Sequence, residues 1–136
     1  MKKGRVIWTR YLDTNVLWIK ISVFLGVVAL ALHISAQFFG LYDVTNVDVY
    51  THFMSSFALI SLLMNLNLTR SWKVYWGLPI LIAFVLGLTW EIGEEIAIYT
   101  NLFPWIKNEF WNIFQDLFMD MLGGMASGFL VDKVVD

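Results

Sequence analysis

The chain predicts an all-α fold, a polytopic membrane protein built as a bundle of four transmembrane helices, and three observations carry that prediction. Hydrophobic residues make up 59% of the 136 positions and charged residues 15%, with a mean hydropathy of +0.68, far from the ~25% charged residues of a soluble domain. The apolar residues fall in four long runs joined by short polar connections, with no dyad alternation of the barrel type. Lys and Arg are spread unevenly over those connections, as the positive-inside rule asks of a multi-span chain.

Residues 1–15 mix Lys2, Lys3, Arg5 and Arg10 with Val6, Ile7, Trp8, Tyr11 and Leu12. That composition suits either a short helix lying at the headgroups or a plain topogenic flank. The first span covers residues 16–39 and is broken only by Lys20, Ser22, His33, Ser35 and Gln37. A basic start before an apolar run also describes a signal peptide, with Ser35-Ala36 as a weak cleavage site. The run outlasts the usual h-region of about 7–15 residues, so an uncleaved helix is expected.

Residues 40–49 connect to a second span at 51–68, whose far end is polar at Asn65 and Asn67. Arg70-Ser71-Trp72-Lys73 makes a tight basic turn into a third span at 74–99, which carries Gly77, Pro79, Gly87 and Gly93. Such helix breakers are tolerated in lipid because neighbouring helices satisfy the freed backbone. A connection at 100–109, built round Phe103-Pro104-Trp105, leads to the fourth span at 110–131 and a short tail. The length allows one domain, 1–136.

The basic residues of the N-terminal flank, Arg70 and Lys73 in the basic turn, and Lys133 in the tail outweigh Lys107, alone in the other two connections. Both termini are therefore expected in the cytoplasm of a multi-pass protein of the cell membrane. A net charge of −2 without a Lys/Arg block argues against nucleic acid as a partner. The absence of Cys excludes disulfides, thiolate metal sites and Cys-attached haem.

With that topology, the ionisable residues of four helices fall at one depth, in the outer half of the bilayer. His33 and Gln37 come from the first span, Asp48 and His52 from the second, Glu91, Glu94 and Glu95 from the third, and Asp116 and Asp120 from the fourth. His33/Gln37, Asp48/His52, Glu91/Glu94, Glu91/Glu95 and Asp116/Asp120 are each three or four apart and share a helix face. Asn112, Asp116, Asp120, Gly124 and Gly128 form one stripe, ending in a G-x-x-x-G that permits close helix approach. Glu94 and Glu95 lie about 100° apart, so at most one points at the centre together with Glu91.

An intramembrane carboxylate costs roughly 2.5–3.5 kcal/mol even on the mildest scale. No Lys or Arg lies at this level to balance the group. Either several carboxyls share protons or a cation sits among them. The expected ligands of a divalent metal are His52, Glu91, Glu94, Glu95, Asp116 and Asp120, with His33, Asp48 and Asn112 in support. Oxygen donors with imidazole suit Zn, Mn or Fe, and oxygens alone suit Mg or Ca. The bland readings are a helix-packing role for His33, an N-cap role for Asp48, and a carboxyl cluster that only locks the bundle. A lone Ser-His pairing of Ser55 or Ser56 with His52 is common on helices and carries no nucleophile assignment.

The order of these residues resembles the VanZ-like and YjdF-like group of small bacterial and archaeal membrane proteins. The pieces are Asp48-Val-Tyr-Thr-His52-Phe53 opening one helix, Trp90-Glu91-Ile92 with Glu94 or Glu95 in the next, and Trp111-Asn112 followed by Asp116, Asp120 and Gly123-Gly124. They span residues 48–128, and the first span matches in character alone. The YjdF-like pattern has an acidic residue where this chain has Asn112, and commonly an Asn where it has Asp120. The resemblance implies a helical membrane protein with an acidic and His site. It also implies an association of some members with glycopeptide resistance, and no particular reaction. Three expectations follow: an accessory or cation-handling role, a metal-dependent enzyme acting on a lipid headgroup or lipid-linked substrate, or a structural subunit beside membrane-protein partners.

Overall fold

In a computed structural model the backbone is described for residues 3–41, 46–65, 77–102 and 110–135, and the side chains for 16–36, 38–41, 46–65, 77–102 and 111–130. Four helices occupy almost all of it: α1 (Lys3–Phe39), α2 (Val47–Asn65), α3 (Gly77–Tyr99) and α4 (Phe110–Val135). The described residues contain no strand. Of these helices, Val16–Ala36 and Val47–Asn65 are long and apolar enough to cross a membrane, with mean hydropathies of 2.1 and 1.4.

The boundaries shift in instructive ways. The N-terminal segment and the first span form one continuous helix of 37 residues, because no Gly or Pro interrupts the backbone between Arg5 and Leu25. At 1.5 Å per residue it is about 55 Å long, well beyond a ~30 Å hydrocarbon core. The second helix begins at Val47, so Asp48 lies inside its first turn and Asn46 takes the position before the helix. The basic turn at 70–73 and the Phe103-Pro104-Trp105 group lie outside the described residues.

Two helix ends are closed by the same device. Gly40 adopts a left-handed φ of 62°, and the Leu41 N–H donates to the Ala36 carbonyl at 2.9 Å, the 6→1 bond of a Schellman cap. At the end of α3, Asn101 takes the left-handed place with φ 56°. The Leu102 N–H reaches Ala97 O at 3.0 Å and the Asn101 N–H reaches Ile98 O at 2.9 Å. Asn tolerates this conformation through its short polar side chain.

Packing is most extensive between α2 and α4, then between α1 and α2, then between α3 and α4. The paired residues set the directions. Ser22 meets Ser61 and Gly26 meets Ala58, so α1 and α2 are antiparallel. Asp48 pairs with Asn112 and His52 with Asp120, so α2 and α4 run parallel. Gly87 faces Asp120 while Pro79 faces Gly124 and Gly128, so α3 and α4 are antiparallel. The bundle is an arc in the order α1, α2, α4, α3, and its two ends approach each other around a cleft.

Among the described residues the polarity is turned inside out. Their buried apolar side chains are Ala29, Ala36, Ala58, Ile60 and Ala83, and their buried polar ones include Ser22, Thr51, His52, Ser56, Ser61, Asn65, Glu91, Asp116, Asp120 and Ser127. Many large apolar residues lie outside, among them Phe24, Val27, Phe114, Phe118 and Phe129. Water rewards the opposite arrangement. Small residues let backbones approach closely: a Cβ on Gly123 would lie 2.5 Å from the Phe53 carbonyl oxygen, and one on Gly124 2.8 Å from Pro79 O. These contacts hold α4 between α2 and α3.

Candidate functional site

Within the tight α2/α4/α3 contact, His52 is the hub. Its Nδ1 lies 3.1 Å from Asp120 Oδ2, and its Nε2 lies 3.8 Å from both Asp48 Oδ1 and Glu91 Oε1. Asp48 is one turn earlier on α2, Glu91 comes from α3, and Asp120 comes from α4. Asp116, one turn before Asp120, offers an oxygen that completes a group with Asp48 and His52 whose candidate ligand atoms all lie within 4.8 Å of one another.

Burial makes this geometry consequential. Glu91 is 2% exposed and Asp116 1%, and Asp116 Oδ1 has no hydrogen-bond partner among the described residues. A buried carboxylate oxygen without a partner costs free energy unless a proton or a cation meets it. A neutral His52 that donates its Nδ1–H to Asp120 carries its lone pair on Nε2, on the side where Asp48 and Glu91 stand. In that tautomer electron-rich atoms converge from three sides. A carboxylate behind an imidazole that turns its other nitrogen to a shared centre is the arrangement that orients metal-binding histidines.

Further side chains fix the cluster in place. Asn112 Nδ2 donates to Asp48 Oδ2 at 3.3 Å, and Thr51 Oγ1 donates to the Asp48 carbonyl at 2.7 Å. Asp48 also sits in the first turn of α2, where the helix dipole favours a negative charge. Its N-cap reading is thereby replaced by a place in the cluster. Gly87 makes room for Asp120, because a Cβ there would fall on the Asp120 carboxylate.

The expected residues divide into two groups. Asp48, His52, Glu91, Asp116 and Asp120 come together, with Asn112 beside them. Glu94 turns the other way, accepting from Trp90 Nε1 at 2.8 Å and lying 3.9 Å from His33 Nε2. His33 and Trp90 meet edge to face with ring centroids 5.3 Å apart, so α1 and α3 touch through this group. Glu95 is exposed, and the Gln37 side chain lies outside the described residues. In the sequence Gly87 carries no signal of this role beyond its small size, and Gly123 enters through the Gly123-Gly124 piece of the family resemblance.

Alongside the cluster a cleft of about 180 Å³ runs between α1, α2 and α3, reaching His52 and Asp120 at one end. Its walls include Leu30, Leu59, Leu86 and Trp90. No protein-family model, no curated protein and no solved structure matches this chain.

Proposed function

We propose that the chain is a four-span protein of the cell membrane, both termini cytoplasmic, whose Asp48, His52 and Asp116 bind a divalent cation in the outer half of the bilayer in a cation-handling or accessory role. One observation carries the reading. His52 Nε2 faces two carboxylate oxygens at 3.8 Å beside a buried Asp116 oxygen that has no hydrogen-bond partner among the described residues, and the stretches that supply the group, residues 46–65, 77–102 and 111–130, contain no Lys or Arg.

Two ligands in a tetrahedral shell of ~2.0–2.1 Å bonds lie roughly 3.4 Å apart. Small side-chain rotations therefore bring this group to coordination distance. An imidazole with two carboxylates favours Mn, Fe or Zn over Mg or Ca. The membrane reading is supported by the exposed Phe, Leu, Ile and Val side chains around a polar interior, since in lipid the driving force acts on polar groups and close packing. The VanZ-like resemblance belongs to the same proposal.

Elemental analysis of protein purified in mild detergent tests the site, with His52→Ala and Asp116→Asn as comparators. Near-stoichiometric metal in the parent and little in the variants is expected. A folded, metal-free parent whose stability ignores added Mn, Fe, Zn, Mg and Ca would sink the proposal. Reporter fusions at Asp136 and within residues 100–109 test the topology, the second expected outside.

The cleft beside His52 favours a second reading, an enzyme acting on a lipid headgroup or lipid-linked substrate. Three protein ligands leave a position open for water or substrate. A bound metal there supplies Lewis acidity.

A further inference from the structure

The cleft has a polarity gradient that matches one leaflet of a membrane. At one end stand His33, Thr51, His52 and Asp120, and towards the other stand Leu30, Leu59 and Leu86. The gradient runs along the helices: His33 is one turn beyond Leu30 on α1, and His52 two turns before Leu59 on α2. In the four-span topology the polar end is the outer one and the apolar end points to the bilayer centre. An outer-leaflet lipid is oriented the same way.

Size decides what fits. A helix with its side chains is about 10–12 Å across and rises about 5.4 Å per turn, so one turn displaces roughly 400–600 Å³. The cleft holds about 180 Å³, which excludes a partner's transmembrane helix. An apolar cavity of ~150 Å³ admits benzene, so this one has room for a chain segment of roughly seven carbons. Its outer mouth is crossed by the His33, Trp90 and Glu94 contacts, while Leu30, Leu59 and Leu86 keep one edge exposed. Access is therefore lateral, from the hydrocarbon.

We infer that the cleft between α1 and α3 is a binding site for one acyl chain of an outer-leaflet lipid, with the lipid's polar end beside His33 and His52. The inference rests on the membrane reading above and is independent of the cation. The chain tail lies against Leu59 and Leu86, and the headgroup end lies next to the His52 cluster. It gives the enzyme reading its substrate class, a glycerolipid held by its chain.

The test uses the full chain in phosphatidylcholine vesicles doped with a phosphatidylcholine that carries a diazirine midway along one acyl chain. After irradiation, adducts are mapped by peptide mass spectrometry. Adducts concentrated on Leu30, Leu59 and Leu86 are expected, and Leu86→Trp, which fills the cleft, should reduce them about tenfold, the loss typical of blocking one anchor of a site. Metal content and adducts on Phe118 should stay at parent levels in that variant, which reports that it folds. Ser55→Trp fills the same cleft from α2 and should act alike. Adducts spread evenly over Phe24, Phe118 and Phe129 with no excess in the cleft overturn the inference and leave the cation site standing. Cleft adducts in a metal-free protein support it and sink the cation. A chain released into the supernatant by alkaline extraction overturns the inference together with the membrane reading.

Discussion

Replacing Gly87 by Ala adds one methyl group at a point where packing and the His52 cluster are the same contact. The new Cβ would fall on the Asp120 carboxylate, 2.9 Å from its Cγ and 3.2 Å from its Cβ. The Asp120 side chain can escape only by swinging away, and the bond that it makes to His52 Nδ1 at 3.1 Å is then lost. A hydrogen bond to a charged group contributes about 1.5–3 kcal/mol. Alanine in a helix interior returns about 0.5–1 kcal/mol relative to glycine. The net cost is about 0.5–2.5 kcal/mol. Gly93→Ala on the same helix is the control, since nothing lies within 4 Å of a Cβ there, and it should stabilise by about 0.5–1 kcal/mol. Equilibrium unfolding in mixed micelles, followed by circular dichroism, should separate the two variants by about 1.5–3 kcal/mol. If a cation is bound, losing the carboxylate behind its His weakens affinity about 10- to 100-fold. Equal stability of Gly87→Ala and Gly93→Ala would refute the coupling between this glycine and the cluster.

Other perturbations probe neighbouring claims. Gly123→Ala drives a Cβ to 2.5 Å from Phe53 O and 3.0 Å from Phe57 N. Both are backbone atoms with no rotamer to yield, so a loss of about 1–3 kcal/mol is expected in the same unfolding assay. Asn112→Ala removes the donor on Asp48 Oδ2; titration calorimetry with Mn or Zn should show affinity lower by about tenfold or more, with stability changed by about 1 kcal/mol. Glu94→Ala removes the acceptor of Trp90 Nε1 and should cost about 1 kcal/mol, whereas Glu95→Gln, at an exposed position, should change stability by no more than about 0.5 kcal/mol.

Much of this molecule is legible in the linear sequence because helix formation and hydropathy are local properties. The four apolar runs predict four helices, and the three-and-four spacing of the polar residues puts His52, Glu91, Asp116 and Asp120 on faces that do meet. The Gly124/Gly128 stripe likewise meets a neighbour, the Pro79 turn of α3. Rotation of each helix about its axis is another matter. One residue is about 100° of turn, so the choice between Glu94 and Glu95, or between Asp48 as a cap and Asp48 as a cluster member, depends on how neighbouring helices lock. Close contacts at Gly87, Gly123 and Gly124 set that lock. They send Glu94 to His33 and Trp90, leave Glu95 outside, put Asp120 behind His52 and bring Asp48 to its Nε2. The contact of α2 with α4 and the cleft between α1 and α3 belong to the same class of fact. Spacing along one helix carries no information about which other helix it faces, and only the packed bundle decides it.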